Sequence, residues 1–197
     1  MIGLDEQPVP LLKETRTPLP ATKEPGPRID YEYERAGTAN MFLFTEPLAG
    51  WREVSVRKTK TKVDWAIEMA RLLEVRYVQC EKIILVSDNL KTHTKGAFYA
   101  AFDPERARQL VRRMEFRHTP KHGRGLRLLN EHRAENELSS VTRPCVAGRR
   151  FGDIETLSDE TAAWSTDVNS TQRGIDWQMK IDDARGKRTS VYPKIKL

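Results

Sequence analysis

The sequence lacks the features that mark secreted and membrane proteins. Only two of its 197 residues are cysteines, Cys80 and Cys145, too few for the disulfide framework of a small secreted domain. No apolar run reaches the roughly 18–20 residues that cross a bilayer. The N-terminus also lacks the basic-then-apolar layout of a secretory signal. These absences argue against a membrane partner and predict a cytoplasmic protein that forms one compact domain over residues 1–197.

Positive charge is concentrated in one part of the chain. The net charge is +6, and between Pro104 and Arg150 twelve Lys or Arg stand against five Asp or Glu, which gives that stretch a charge of +7. A concentrated basic surface suits a polyanion such as DNA. A solvated helix face would give the same charge, so composition leaves both interpretations open.

The order of apolar patterns predicts an α/β domain. Residues 7–28 contain six prolines and predict an exposed, extended connection. The predicted strands are Tyr31–Arg35, Ala39–Thr45, Trp51–Arg57, Lys82–Asp88 and Glu115–His118. Helices are predicted behind the N-caps Thr61, Thr94, Asp103 and Asp153, ending near Tyr77, Phe102, Met114 and Val168, with another over Leu126–Val141. The strand, helix, strand order around Thr61 favours parallel pairing through a crossover.

Two carboxylates follow apolar segments. Asp88 ends the buried run that begins at Ile83, and Asn89 and His93 come soon after it. Asp5 ends the shorter run Ile2-Gly3-Leu4. Strand ends are where α/β proteins place ligands, and oxygen ligands suit hard divalent cations. The alternatives are an acid that caps the next turn at Asp88 and an exposed Asp-Glu pair at Asp5.

A third carboxylate would complete a site for two divalent ions, which about 4 Å apart can activate water and stabilise the leaving oxygen of a phosphodiester. The sequence offers Glu131, Glu135 and Glu137. On a helix, Glu131 and Glu135 share a face and Glu137 points elsewhere. Helical periodicity does not choose between the first two.

Several motifs carry a resemblance to a known family. The chief ones are Val86-Ser87-Asp88-Asn89-Leu90-Lys91-Thr92-His93 and Thr119-Pro120-Lys121-His122-Gly123. Further matches are Leu4-Asp5-Glu6, Ala134-Glu135-Asn136-Glu137-Leu138-Ser139, Asp153-Ile154-Glu155-Thr156-Leu157, Asp183-Ala184-Arg185 and Tyr192-Pro193. Through nearly its whole length the chain resembles the DDE-type transposases of bacterial insertion sequences related to mariner.

The resemblance implies a ribonuclease-H-like fold, an α/β domain with a mixed central sheet flanked by helices. It also implies two bound Mg²⁺ or Mn²⁺ ions and cleavage and joining of DNA at transposon ends by a bacterial protein that acts as a homodimer on transposon ends and target DNA. By motif, the catalytic and metal-binding residues would be Asp5, Asp88 and Glu135. The nucleic-acid-binding residues would be Asn89, His93, Lys121, His122 and Arg124.

Three departures from the family pattern support an alternative function. The interval from Asp88 to Glu135 is 47 positions, about five more than expected, which would rotate the end of an uninterrupted helix by about 140°. Only four residues precede Asp5, which predicts that the helix-turn-helix region of the family is absent. Residues Gly186–Thr189 replace an expected apolar-basic helix.

The alternative is a truncated, inactive remnant that only binds DNA or a partner subunit. A third interpretation, a related nuclease such as a ribonuclease H or a junction resolvase, is disfavoured by the Lys121-His122-Gly123 and Asp183-Ala184-Arg185 motifs.

Overall fold

A computed structural model describes residues 1–16, 32–87, 91–118 and 141–171. Its strands are β1 (Ile2–Glu14), β2 (Tyr33–Glu46), β3 (Trp51–Arg57), β4 (Ile83–Ser87) and β5 (Met114–His118). Its helices are α1 (Lys62–Arg71), α2 (Lys95–Ala101), α3 (Pro104–Arg112) and α4 (Ile154–Thr171), with π-helical turns at Leu72–Arg76 and Thr142–Val146. Within these ranges, no helix has the length and apolar composition that crossing a membrane requires.

The five strands form one mixed sheet in the order β3-β2-β1-β4-β5. β2 runs antiparallel to both of its neighbours, β1 and β3, with Leu4 opposite Phe44. β4 is parallel to β1 and to β5. The α1 crossover therefore carries the chain from one edge of the sheet, past β2 and β1, to β4 near the other edge.

Helices cover both faces of this sheet, and each face has its own apolar cluster. Alternate residues of a strand point to opposite faces, so Ile2 and Leu4 pack under α1, α2 and α3, whereas Val9 and Leu11 pack under α4 and the turn before it. Trp65 of α1 is fully buried at the centre of the first cluster. The predicted α/β class, a mixed central sheet flanked by helices, is confirmed.

β1 extends further than its prolines predicted. The extended connection predicted from residue 7 is wrong for residues 7–14, which continue the β1–β2 ladder through Pro8 and Pro10. Pro8, Pro10 and Leu12 are alternate residues of β1, so their main-chain nitrogens point the same way. The Leu12 N–H points away from β2 and donates to the Phe151 carbonyl at 2.7 Å. The two proline nitrogens therefore face an edge where the ladder needs no donor, the position in which a sheet tolerates proline. Residues 17–31 lie outside the described ranges.

A β-bulge joins the two strands that were predicted on either side of residues 36–38. Leu11 pairs with Gly37 and Leu12 with Arg35, so Ala36 is the extra residue of the bulge. Gly37 has φ +108°, a conformation that residues with a Cβ rarely adopt. The predicted Trp51–Arg57 strand and its hairpin with β2 are confirmed.

Local capping signals place the helices correctly. The Thr61 side chain accepts from the Asp64 N–H at 3.2 Å, and the Asp64 carboxylate accepts from the Thr61 N–H at 2.8 Å, so the predicted capping box is present. Asp103 caps α3 through the N–H groups of Glu105 and Arg106. The α-helix that begins at Lys62 ends at Arg71 and continues to Arg76 as a π-helical turn, which the sequence did not indicate. The helix predicted at Leu126–Val141 and the tail from Gly174 lie outside the described residues, apart from Val141 itself.

A buried carboxylate links α1 to β3. Glu68 is 2% exposed and accepts from Arg57 Nε at 2.6 Å and from Arg71 Nε at 3.0 Å. Arg71 also pairs with Glu53 of β3. The two guanidinium groups compensate the buried charge, so this network aligns the crossover helix with the edge strand that precedes it.

Tyr77 closes the other end of α1 against the β2–β3 turn. Its ring meets Trp51 edge-on at 6.4 Å, and its hydroxyl lies 3.1 Å from Glu46 Oε2. Arg76 stacks over the Trp51 ring at 3.7 Å. Burial raises the pKa of the Tyr77 phenol to about 12, and the Glu46 carboxylate contributes in the same direction.

Removal of the capping box should destabilise the protein. Thr61→Ala is expected to lower the free energy of unfolding by about 1 kcal/mol, because it leaves the Asp64 N–H of the first turn without its side-chain acceptor. Urea denaturation followed by circular dichroism measures the change. Thr94→Ala is the matched control: Thr94 is the N-cap of α2 but its side chain accepts no capping hydrogen bond. Equal losses in the two variants would contradict this interpretation of the box.

Tyr77 should make stability fall at high pH. Its folded pKa is raised to about 12, so its contribution is fully present below the unfolded value of about 10 and is lost as the pH rises from about 10 to about 12. The comparison is between the wild-type protein and Tyr77→Phe, which cannot ionise at this position. Urea unfolding at several pH values should show a steeper decline for the wild-type protein over that window, and parallel curves would refute the assignment.

Candidate active site

Asp5 lies on β1, two residues beyond the pairing of that strand with β4. Gly3 pairs with Val86, the last β1–β4 pair along the chain. Asp5 itself is opposite Leu43 of β2, and its side chain is partly buried. The Glu6 N–H donates to Asp5 Oδ1 at 2.8 Å. A main-chain donor to one oxygen orients the carboxylate.

The face of β1 that carries Asp5 is the one beneath α4. Asp5 has the same parity as Gln7, Val9 and Leu11, and the last two belong to the apolar cluster on that face. The Thr142 hydroxyl donates to Gln7 Oε1 at 2.8 Å. The chain therefore returns to the Asp5 face at Thr142, after the undescribed residues 119–140.

Glu6 points to the opposite face and pairs with His93. The Glu6 Oε1 to His93 Nε2 distance is 2.8 Å, and the two side chains are 4% and 1% exposed. The His93 ring stacks on Trp65 with centroids 5.4 Å apart. The structure thus gives His93 internal contacts where a DNA contact was predicted, because its ring is covered by β1 and α1.

The other predicted site residues fall outside the described ranges. β4 ends at Ser87, which is buried, directly before the first of them. They are Asp88, Asn89, Lys121, His122, Arg124 and Glu135. Among the residues that the structure does describe, no three His, Cys, Asp or Glu side chains are grouped to hold a metal ion. Asp5 is therefore the one predicted metal ligand whose position is known.

Gly3 allows the close approach of β1 to its neighbours beside Asp5. A Cβ at this position would lie 2.8 Å from Thr45 Oγ1, closer than real Cβ contacts come. Thr45 is opposite Gly3 on β2 and is 3% exposed. Sequence inspection did not identify this requirement, since a glycine before an acid gives no sign of which strand it meets.

Much of the basic stretch is engaged within the protein. Arg106 pairs with Glu74, Arg117 with Glu115, Arg149 with Glu160 and Arg150 with Glu14. Arg113 donates to main-chain carbonyls at the end of the α1 crossover, among them Leu73 at 3.1 Å and Cys80 at 2.9 Å. The hydrogen bond from Arg149 lowers the pKa of the Glu160 carboxyl. In the described part of the stretch, the exposed cations with no partner are Arg108, Arg112 and Arg143.

The sheet order β3-β2-β1-β4-β5, with helices on both faces, defines the class of the protein as a mixed α/β domain. Residues 1–158 match the profile of a family described as DDE superfamily endonuclease. The chain belongs to that family. The resemblance to DDE-type transposases is confirmed at the level of the superfamily.

Two solved structures are similar to the chain at low identity. The Mos1 mariner paired end complex with Mn has 14% identity and a TM-score of 0.49, over 84% of this chain and 48% of that one. A pre-cleavage Mos1 transpososome has 12% identity and a TM-score of 0.41, over 89% of this chain and 56% of that one. The chain thus spans about half the length of these structures. No curated protein sequence matches it.

A side chain at position 3 should strain the sheet beside Asp5. Gly3→Ala is expected to lower the free energy of unfolding by about 1–3 kcal/mol, because its methyl group would overlap the Thr45 hydroxyl in a packed interior. Adding Thr45→Ala removes the overlapping atom and should recover part of the loss. Urea denaturation of the two single variants and the double variant measures this coupling, and strictly additive losses would contradict the proposed overlap.

Proposed function

We propose that the chain is the catalytic domain of a DNA transposase, a divalent-metal-dependent endonuclease that cleaves and joins DNA strands at transposon ends. The proposed metal ligands are Asp5, Asp88 and Glu135. The observation that carries the proposal is the parallel pairing of β1 with β4, in the register that joins Gly3 to Val86.

This register supports a close approach of the first two carboxylates. Asp5 is two residues beyond Gly3, and Asp88 is two residues beyond Val86. Neighbouring strands lie about 4.8 Å apart, and residues paired across a parallel ladder point to the same face. Continuing the ladder by two steps would place both carboxylates side by side on the face beneath α4.

The contact between Thr142 and Gln7 supports Glu135 as the third carboxylate. Glu135 is seven residues before Thr142, which a helix would span in about 10 Å. Gln7 is two residues from Asp5 on the same face of β1, a separation of about 7 Å. The longer interval after Asp88 lies upstream of Glu135, so it does not change the distance of Glu135 from this downstream contact.

The donor set fits hard divalent cations, because three carboxylates supply only oxygen ligands. Two Mg²⁺ or Mn²⁺ ions bound there would activate the attacking water or hydroxyl and stabilise the leaving oxygen. Asp5 contributes a carboxylate oriented by the Glu6 N–H. Asn89, Lys121, His122 and Arg124 are proposed to contact DNA. The proposed functional unit is a homodimer acting on transposon ends and target DNA.

Replacement of either strand carboxylate should abolish cleavage without loss of DNA binding. Asp5→Asn and Asp88→Asn keep the side-chain volume but remove a charged metal ligand. Nicking of supercoiled DNA in Mg²⁺ or Mn²⁺ should fall by more than roughly 100-fold. A loss of that size is the upper end of what removal of a residue that only orients a metal ligand causes. DNA affinity, measured by filter binding, should remain within about twofold, since Asn carries no additional charge to repel phosphate.

Asp159→Asn is the matched control, an exposed carboxylate on α4. It should nick DNA at the wild-type rate. Undiminished nicking by Asp5→Asn and Asp88→Asn would refute the proposed site. Salt-sensitive DNA binding with no nicking by the wild-type chain in either metal would instead favour the inactive, DNA-binding remnant, for which the exposed Arg108, Arg112 and Arg143 supply the charge.

A further inference from the structure

From the buried contact between Glu6 and His93 we infer that these two side chains are positioning residues of the metal site. The inference rests on the proposed function. In this role the pair connects the strand that carries Asp5 to the segment that carries Asp88, and so determines the separation of the two carboxylates. Neither side chain has to bind metal or DNA.

Two attachments flank Asp88 along the chain. The β1–β4 ladder fixes the chain through Val86 on one side of Asp88, and the Glu6–His93 contact fixes it five residues after Asp88. Both attachments are made to β1, at Gly3 and at Glu6, on either side of Asp5. The segment between them is thus attached at both ends to the strand whose carboxylate it must meet.

Burial makes the second attachment specific. His93 Nε2 lies 2.8 Å from Glu6 Oε1 in a site where both side chains are at least 96% covered. Trp65 stacks on the imidazole, and Phe98 packs edge-on against Trp65 at 5.3 Å. A buried polar group that loses its partner is costly, so the ring has one favourable position rather than several. This rigidity is what a positioning residue requires.

Asp5 and Glu6 point to opposite faces of the sheet and therefore have different roles. Asp5 faces the α4 side of the sheet, and Glu6 faces the α1 and α2 side. Glu6 therefore acts on Asp5 through the main chain, where its N–H also donates to Asp5 Oδ1. Loss of the His93 contact would allow β1 to shift at Glu6 and would weaken this hydrogen bond.

Mn²⁺ affinity of the full chain, measured by isothermal titration calorimetry, tests the inference without reference to activity. His93→Gln and Glu6→Gln should each weaken Mn²⁺ binding by about 10–100-fold, the range for partners that orient metal ligands. The double variant should be no weaker than the worse single variant, because both changes break the same contact. In nicking assays the single variants should lower kcat and leave the KM for DNA unchanged.

Glu68→Gln is the matched control for burial. Glu68 is 2% exposed and pairs with Arg57 of β3, so its loss should lower stability but leave Mn²⁺ affinity at the wild-type value. If Glu68→Gln weakens Mn²⁺ binding as much as His93→Gln does, general destabilisation explains the effect and the positioning role is refuted.

Mn²⁺ affinity distinguishes failure of the proposed function from failure of the positioning role. Equal Mn²⁺ affinity in wild-type protein and Asp5→Asn would overturn the proposed function. Loss of Mn²⁺ binding in Asp5→Asn with wild-type affinity in His93→Gln and Glu6→Gln would overturn only the positioning role.

A measurement on the wild-type protein covers the case in which the pair variants do not fold. Mn²⁺ should then broaden the NMR signals of the His93 ring, because the ring contacts Glu6, the residue next to the proposed ligand Asp5. Asp5→Asn should remove that broadening. Sharp His93 signals at saturating Mn²⁺ would also overturn the inference.

Discussion

Two pairs of residues, Ile2 with Leu85 and Gly3 with Val86, join the antiparallel half of the sheet to its parallel half. The antiparallel half forms from neighbouring segments, through a long β1–β2 ladder and a tight β2–β3 hairpin, whereas β4 and β5 arrive only after helical crossovers. So short a ladder needs support, and Ile2, Leu4 and Leu85 give it by packing beneath the same helices. Asp5 follows this junction directly, so the site depends on the same few contacts that unite the fold.

Local signals in the sequence were sufficient to predict most of the helices and the strand β4. Thr61 with Asp64, and Asp103 before Pro104, act within a few residues, so no knowledge of tertiary structure is needed to interpret them. The apolar run to Ser87 predicted a buried strand because both of its faces are covered. The order of strand and helix patterns also predicted the α/β class, and the family resemblance implied the mixed sheet.

The features that the sequence did not reveal depend on partners distant along the chain. Pro8 and Pro10 are compatible with β1 only because their nitrogens face away from β2, and no local pattern indicates which edge is paired. The role of Glu6 has the same origin: its partner His93 is 87 residues away, and only the alternation along β1 distinguishes its face from that of Asp5. Charge counting likewise did not show which arginines are paired, because Arg106 and Arg150 meet acids outside the basic stretch.

The amide of Asn169 has a consequence for how copies of this protein can associate. It accepts from the Arg52 N–H at 2.8 Å and donates to the Arg52 carbonyl at 2.7 Å, so it occupies the outward main-chain groups of the edge strand β3 as a neighbouring strand would. An edge blocked in this way offers no continuous ladder to a second sheet. Two copies therefore cannot merge their sheets across β3 at Arg52 while α4 stays in place.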